Sequence, residues 1–287
     1  MIEKIMKTVK SGNKKRGRNI TIGAVVGMLL SCTTVMGEDN YLWIRENSGA
    51  TEFNTQKTTD KEGTGGNWNE EHPYSDENIW NADTKTYINN IILSSSENNG
   101  IFNDDSSDKD LSYGLRLSGT LMGFNFISNS SITATGGSYN FGIYNQSETM
   151  EDITNNGSIK AESTDSFSYG IYNQSETMED ITNNGLITVT IKGQYNSANG
   201  INNFTTTMGA ITNNGLITAT TEAEYGSASG INDASNSDIT NTGIIYGKTC
   251  AVYKQRGTIN NFNNYGLLMS QTGDTVSGGT SITNSYG

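Results

Sequence analysis

From residue 111 onward the apolar residues are single letters or pairs set among Asn, Ser, Thr and Gly, and they recur with a long period. The sixteen residues Gly142–Gly157 (GIYNQSETMEDITNNG) return unchanged 28 residues later at Gly170–Gly185, and looser copies begin at Gly200 and Gly230, at intervals of 30. Periods of roughly 20–50 residues, with short β-type runs between turns, mark a stacked solenoid. Each unit divides into three such runs, represented by Gly170–Asn173, Asp180–Thr182 and Leu186–Thr190. On this frame the aliphatic positions fall into columns. The first holds Leu115, Ile143, Ile171, Ile201, Ile231 and Val252; the second Ile153, Ile181, Ile211, Ile239 and Phe262; the third Ile132, Ile159, Ile187, Ile217, Ile245 and Leu268. Stacking would set column neighbours about 4.8 Å apart, so a continuous core forms without a wide interior.

The pattern therefore predicts an all-β chain folded as a parallel β-helix of about six coils, right-handed by the general crossover preference. The rival is a meander of short hairpins, because Asn-Gly is a strong hairpin signal. Runs as short as those flanking Asn155–Gly157, Asn183–Gly185 and Asn213–Gly215 do not make stable isolated hairpins, whereas near-identical rungs can pair along every strand. Asn and Gly at these corners are expected to provide positive φ, and stacked amides to bond from rung to rung. The intervening QSETMED segment, Gln146–Asp152 and again Gln174–Asp180, reads as a solvated outer loop. It would put Glu148 over Glu176 and Glu151 over Glu179, but the third copy, Phe204–Met208, has no acid, which argues against a cation ladder or an acid/base pair.

Three regions follow from this texture: a leader (1–37), a non-repeating cap region (38–110) and solenoid repeats (111–287). The repeat units start near 114, 142, 170, 200, 230 and 251, and the last rung is incomplete. The cap region holds all three tryptophans (Trp43, Trp68, Trp80), His72 and Pro73, with Thr86–Leu93 as its best strand. Large aromatics suit the covering of a solenoid's open end; stacking on sugars is their alternative use. His72 has no second histidine to work with and reads as a surface residue in an acidic loop, so no metal or cofactor is expected there. Asp104, Asp105, Asp108 and Asp110 lack the glycine turn and closing glutamate of a calcium loop and read as solvated.

Composition sharpens the picture. Hydrophobic residues make up only 33%, few for a globular core but enough for an array that buries one narrow row per face. Seven basic residues and one acid fall within 1–37, so the remainder carries 11 basic and 29 acidic groups and a net charge near −18. Such a field repels nucleic acid and anionic lipid, which excludes both as direct partners. With Cys32 in the leader, Cys250 has no intramolecular disulfide partner after cleavage.

The leader has the three parts of a secretory signal: a basic segment, the apolar run Ile20–Leu30, and a cleavage region ending at Val35–Gly37, before Glu38. Eleven apolar residues fall short of the roughly 20 needed to span a bilayer as a helix. Leu29-Leu30-Ser31-Cys32 also approximates a lipobox, so acylation at Cys32 is the alternative outcome. The stretch Ser11–Gly37 (SGNKKRGRNITIGAVVGMLLSCTTVMG) resembles the leader of autotransporter-type surface proteins of fusobacteria and their relatives. The repeats resemble the passenger of such a type V secretion protein. The resemblance implies export through the Sec machinery, cleavage between Gly37 and Glu38, and a cell-surface, outer-membrane or secreted location. It also implies an adhesin or host-interaction role toward a host surface protein or glycan. One departure is that nothing after Gly247 has the alternation of a membrane β-barrel strand, so membrane contact would run only through the leader or a barrel that this chain lacks. No catalysis is expected. The alternatives are a polysaccharide-active β-helix enzyme, for which the repeats hold few Lys or Arg, and a surface lipoprotein held through Cys32.

Overall fold

Every coil contributes one strand to each of three faces. The computed structural model describes residues 39–56, 66–97, 99–104, 107–164, 166–193, 196–256 and 261–278, and among these there is no helix. The first face stacks Leu42–Asn47, Ser107–Leu121, Tyr139–Met150, Ser168–Asn173, Ser197–Asn203, Ser227–Asp233, Cys250–Lys254 and Val276–Gly278 in parallel. The second stacks Thr86–Asn89, Asn125–Ser128, Ile153–Asn155, Ile181–Asn183, Ala210–Asn213, Asp238–Asn241 and Phe262–Asn264. The third runs from Leu93–Ser95 through Ser131–Ala134, Ser158–Ser163, Leu186–Ile191, Leu216–Thr221 and Ile244–Gly247 to Leu267–Ser270. The molecule is a parallel β-solenoid of about six turns, as the column pattern predicts.

Each aliphatic column appears in the strand register. Leu115 pairs with Ile143, then Ile171, Ile201, Ile231 and Val252. The second and third columns are equally continuous and run below residue 111, where Tyr87 lies under Phe126 and Leu93 under Ile132. All the repeat isoleucines in the columns are fully buried. Burial of one such side chain contributes about 1.5–3 kcal/mol, so the stability of the array is the sum of many small, similar increments.

Among the described residues antiparallel pairing is confined to the N-terminal end. Ala50–Asn54 folds back on Leu42–Asn47 across Ser48 (φ 54°) and Gly49 (φ 87°), the two left-handed residues of a type I′ turn. Ile79–Asn81 likewise returns on Thr86–Asn89, and Gly100–Asp104 on the start of Ser107–Leu121. The first two hairpins cover the edges that the first coil would otherwise leave open. Asp104, Asp108 and Asp110 thus belong to a hairpin and not to a loop; Asp105 lies outside the described residues. Thr86–Leu93 is interrupted after Asn89, where the chain turns from the second face to the third.

Two expectations are corrected. The first concerns the corners, where none of Gly157, Gly185, Gly215 and Gly243 has positive φ. Glycine is required there because an added Cβ would lie 1.9–2.0 Å from a carbonyl oxygen of the rung below. A second glycine column, Gly142, Gly170, Gly200 and Gly230, admits the inward-pointing isoleucines of the third face, whose Cγ2 atoms would stand 2.2–2.3 Å from a Cβ. The other correction concerns QSETMED, which is no outer loop. Ser147 and Ser175 turn back to hydrogen-bond Asn145 and Asn173, and the chain then sends Met150 and Met178 inward, stacked in register with each other and with Met208. In the two copies Glu148, Gln174, Glu176, Glu179 and Asp180 are the exposed positions, and Glu151 and Asp152 are half-buried.

Amide ladders run the length of the coil. At the second-face corner Asn155 Nδ2 donates to Asn183 Oδ1, Asn183 to Asn213, Asn213 to Asn241 and Asn241 to Asn264, each at 2.8 Å. One residue further on, the solvent-facing Asn129, Asn156, Asn184 and Asn214 form a ladder that donates the opposite way, toward the N-terminal coils. We expect Asn183→Ala to lower stability by about 2–4 kcal/mol, because it strands the Asn155 donor and the Asn213 acceptor in a buried site at about 1–3 kcal/mol each. Asn184→Ala, on the solvent-facing ladder, should cost less than about 1 kcal/mol by the same reasoning; urea melts followed by circular dichroism check both.

Candidate functional site

The leader residues Gly37, Glu38 and Cys32 lie outside the described residues. The acidic edge does not gather into a reactive pair. Glu148 accepts from the Thr120 hydroxyl at 2.6 Å, while Asp152, Asp180 and Asp238 accept from the backbone N–H of the next coil at 3.1, 2.7 and 3.2 Å. Burial pushes the Asp152 carboxyl up, the Asp180 charge adds to this, and the Asp180 N–H partly offsets it. These carboxylates join rung to rung. Among the described residues no group of three His, Cys, Asp or Glu side chains comes together as a metal site.

The most tightly built polar cluster lies on the first face. Asn145, Asn173 and Asn203 form a buried amide ladder with 2.8 and 2.9 Å steps, and the next position in register is Asp233, followed by Lys254. Asp233 Oδ1 accepts from Asn203 Nδ2 at 2.7 Å and from the Ser235 hydroxyl at 2.8 Å. Its Oδ2 accepts from Ser237 at 2.7 Å and from Lys254 Nζ at 2.5 Å, and Lys254 also donates to the Ser235 carbonyl. Both charged side chains are fully shielded from water. An amide that donates upward needs an acceptor above it; a carboxylate accepts from both sides, and a cation above that donates downward. Asp233 and Lys254 thus terminate the ladder with matched donors and acceptors. Aligning Asn145, Asn173, Asn203, Asp233 and Lys254 in one column would have revealed this, since a charge replaces an amide in a buried register.

Cys250 opens the same first-face strand as Lys254, buried beside the Ser229 hydroxyl (3.3 Å). Burial pushes its thiol up, with the Ser229 contact opposing. In the native protein a thiol reagent should modify Cys250 at least about 100-fold more slowly than in urea at pH 8, because the thiolate is both rarer and covered.

An aromatic array covers the opposite side of the first-face strands from Leu115 and Ile143. Tyr113, Phe141 and Tyr169 form one register row, and Arg116, Tyr144 and Tyr172 another. Phe141 stacks on Tyr144 with ring centroids 4.8 Å apart, and Arg116 sits 4.0 Å above the Trp43 ring. Trp43 is 1% exposed and Phe141 1%, so these rings face one another and leave no open platform for a sugar. Burial raises the Tyr113 phenol to about 12 although Arg116 pulls it down.

The cap region contains an open cavity of about 330 Å³. His72, expected at the surface, instead packs edge-on between Phe53 and Tyr87, with ring centroids 6.4 and 6.3 Å away. Its Nδ1 is buried without a hydrogen-bond partner. Phe53 exchanges two backbone hydrogen bonds with Asn69 (2.7 and 3.0 Å), which pins the far wall, and Tyr74 is held at φ 59°, a conformation uncommon for an aromatic residue. Glu71, Asn67 and Asn69 stand exposed around the opening. Sequence alone reads His72 as a surface residue with no site role and does not single out Phe53 or Asn69, which the hairpin brings alongside it. Comparison of this chain with protein-family models, with curated proteins and with solved structures gave no match.

Proposed function

We propose that this chain is an exported surface protein of the autotransporter-passenger kind, whose solenoid acts as an adhesin or host-interaction scaffold and performs no catalysis. The observation that supports this most is a joint one: a segment with the grammar of a signal peptide precedes a solenoid of about six turns. A solenoid suits passage through an envelope in an extended state, since each coil needs only its neighbour to fold against and can be added in sequence. Its stability comes from rung-to-rung ladders and aliphatic columns, neither of which needs an oxidising compartment or a disulfide. The carboxylates along the acidic edge hold backbone N–H groups, which favours a scaffold over a hydrolase.

The test is expression of the full chain in a Gram-negative host, with fractionation and mass spectrometry of the N-terminus. A mature chain starting at Glu38, in the envelope or medium, is the expected result. Labelled palmitate on Cys32 would replace that with a lipid-anchored surface protein, and an uncleaved chain retained in the cytosol would overturn the export reading. Binding of the purified protein to host cells, reduced by competing glycans or by protease treatment of the cells, tests the adhesin part.

A further inference from the structure

We propose that the cavity of the cap region is a binding site for a neutral or amino-bearing sugar. The volume, about 330 Å³, lies at the lower end of the roughly 300–1,000 Å³ range of small-molecule sites and suits roughly one to two sugar rings. Its chemistry is that of hydroxyl recognition. Phe53, Tyr74 and Pro73 give apolar walls for the C–H face of a ring, and Asn67 and Asn69 offer both donors and acceptors. Glu71 contributes a carboxylate that can accept from two hydroxyls or from an ammonium group. His72 lines the cavity with its ring, held edge-on between Phe53 and Tyr87, while its Nδ1 lies buried behind that surface. The left-handed backbone at Tyr74 is a further sign of a segment held in place by its surroundings and not by its own preference.

The same lining argues against other ligand classes. Among the described residues it contains no Lys or Arg, so a phosphate, sulfate or uronate would meet Glu71 with no compensating cation from them. A purely apolar ligand would displace water from the Asn67 carboxamide and the Glu71 carboxylate without replacing its hydrogen bonds. The aromatic array on the first face offers no rival platform, since its rings are already covered. The proposal does not depend on export, because the cavity belongs to the folded cap wherever the chain resides.

Saturation-transfer NMR on the purified full chain, with N-acetylglucosamine, glucosamine and methyl galactoside as probes, tests the site; glucuronate and inorganic sulfate serve as anionic comparators. At least one of the three neutral or amino sugars should bind saturably, with a dissociation constant on the order of 1 mM for so small a ligand. Glu71→Gln and Asn67→Ala alter exposed side chains and should leave the melting temperature unchanged while weakening binding at least about tenfold. His72→Ala removes the packing of this wall against Phe53 and Tyr87 and should weaken binding and stability together, so the two exposed variants carry the decision. Absence of saturable transfer from all three sugars, binding indifferent to both exposed variants, or tighter binding of glucuronate or sulfate would each overturn the proposal. None of these results bears on where the chain is processed, so a failure here is distinguishable from a failure of the export reading.

Discussion

Replacing Lys254 by Met should lower the stability of the C-terminal coils by about 3–5 kcal/mol, because it leaves the Asp233 carboxylate buried without its counter-charge. For a chain of this size that corresponds to a fall of roughly 6–20 °C in melting temperature. Asp233→Asn should cost a similar amount for the mirror reason: it extends the amide ladder by one step but leaves an ammonium group fully shielded from water. The combination Asp233→Asn/Lys254→Met removes both charges together and should recover to within about 1–2 kcal/mol of the parent, as buried ion pairs exchanged for neutral groups commonly do. Thermal melts of the four proteins close the cycle. If each single change cost less than about 1 kcal/mol, water must reach the pair and the ladder would not need it as a terminus. Since coils interact mainly with their neighbours, the loss should appear as an early melting phase of residues beyond Asp233, with the N-terminal coils holding longer.

The second large effect is expected at Gly185. A Cβ there would lie 2.0 Å from the Gly157 carbonyl oxygen and 2.9 Å from the Asn156 carbonyl, both backbone of the rung below and not flexible side-chain ends that could move away. Gly185→Ala must therefore push two coils apart and stretch the Leu186 N–H to Gly157 O hydrogen bond, 2.9 Å in the native coil. Overpacking of about 1–3 kcal/mol plus a lost buried hydrogen bond of about 1 kcal/mol places the cost near 3–4 kcal/mol. A paired control separates steric approach from backbone conformation. Gly49, at φ 87° in the I′ turn, has no atom within 4 Å of the position a Cβ would take, so Gly49→Asn should change stability by less than about 0.5 kcal/mol. Gly185→Asn should be as damaging as Gly185→Ala. Were the corner glycines present for positive φ, asparagine would be the tolerated substitute at both positions. Urea midpoints of these three variants decide between the two explanations.

How much of this was legible beforehand differs from residue to residue. The Ile columns were readable because side chains in a stacked rung recur at one fixed period, and the duplicated Gly142–Gly157 segment displays that period openly. The cap was readable as a region by its aromatics, yet the cavity beside His72 was not. It depends on the antiparallel return of Ala50–Asn54, which places Phe53 against the His72 ring and bonds it to Asn69. QSETMED misled because four of its seven residues are acids or amides, which suggests a solvated loop. The decisive letter was Met150, buried because the preceding serine folds back onto an asparagine.

The sequence by itself determined the architecture: a repeat of 28 to 30 residues with one aliphatic position per face can bury those positions only by stacking in register. It also determined the sign of the surface field and the absence of a second thiol near Cys250 in the repeats. Tertiary structure alone decided the rest, because proximity between successive coils is what creates it. That proximity turns corner glycines from conformational joints into contact points for carbonyl oxygens. It places Lys254 directly above Asp233 across 21 residues of chain, and it folds the cap hairpin over His72 to leave a polar cavity. A periodic pattern specifies which residues lie in the same column; only the packed coil shows what each column is short of, whether space, charge or a hydrogen-bond partner.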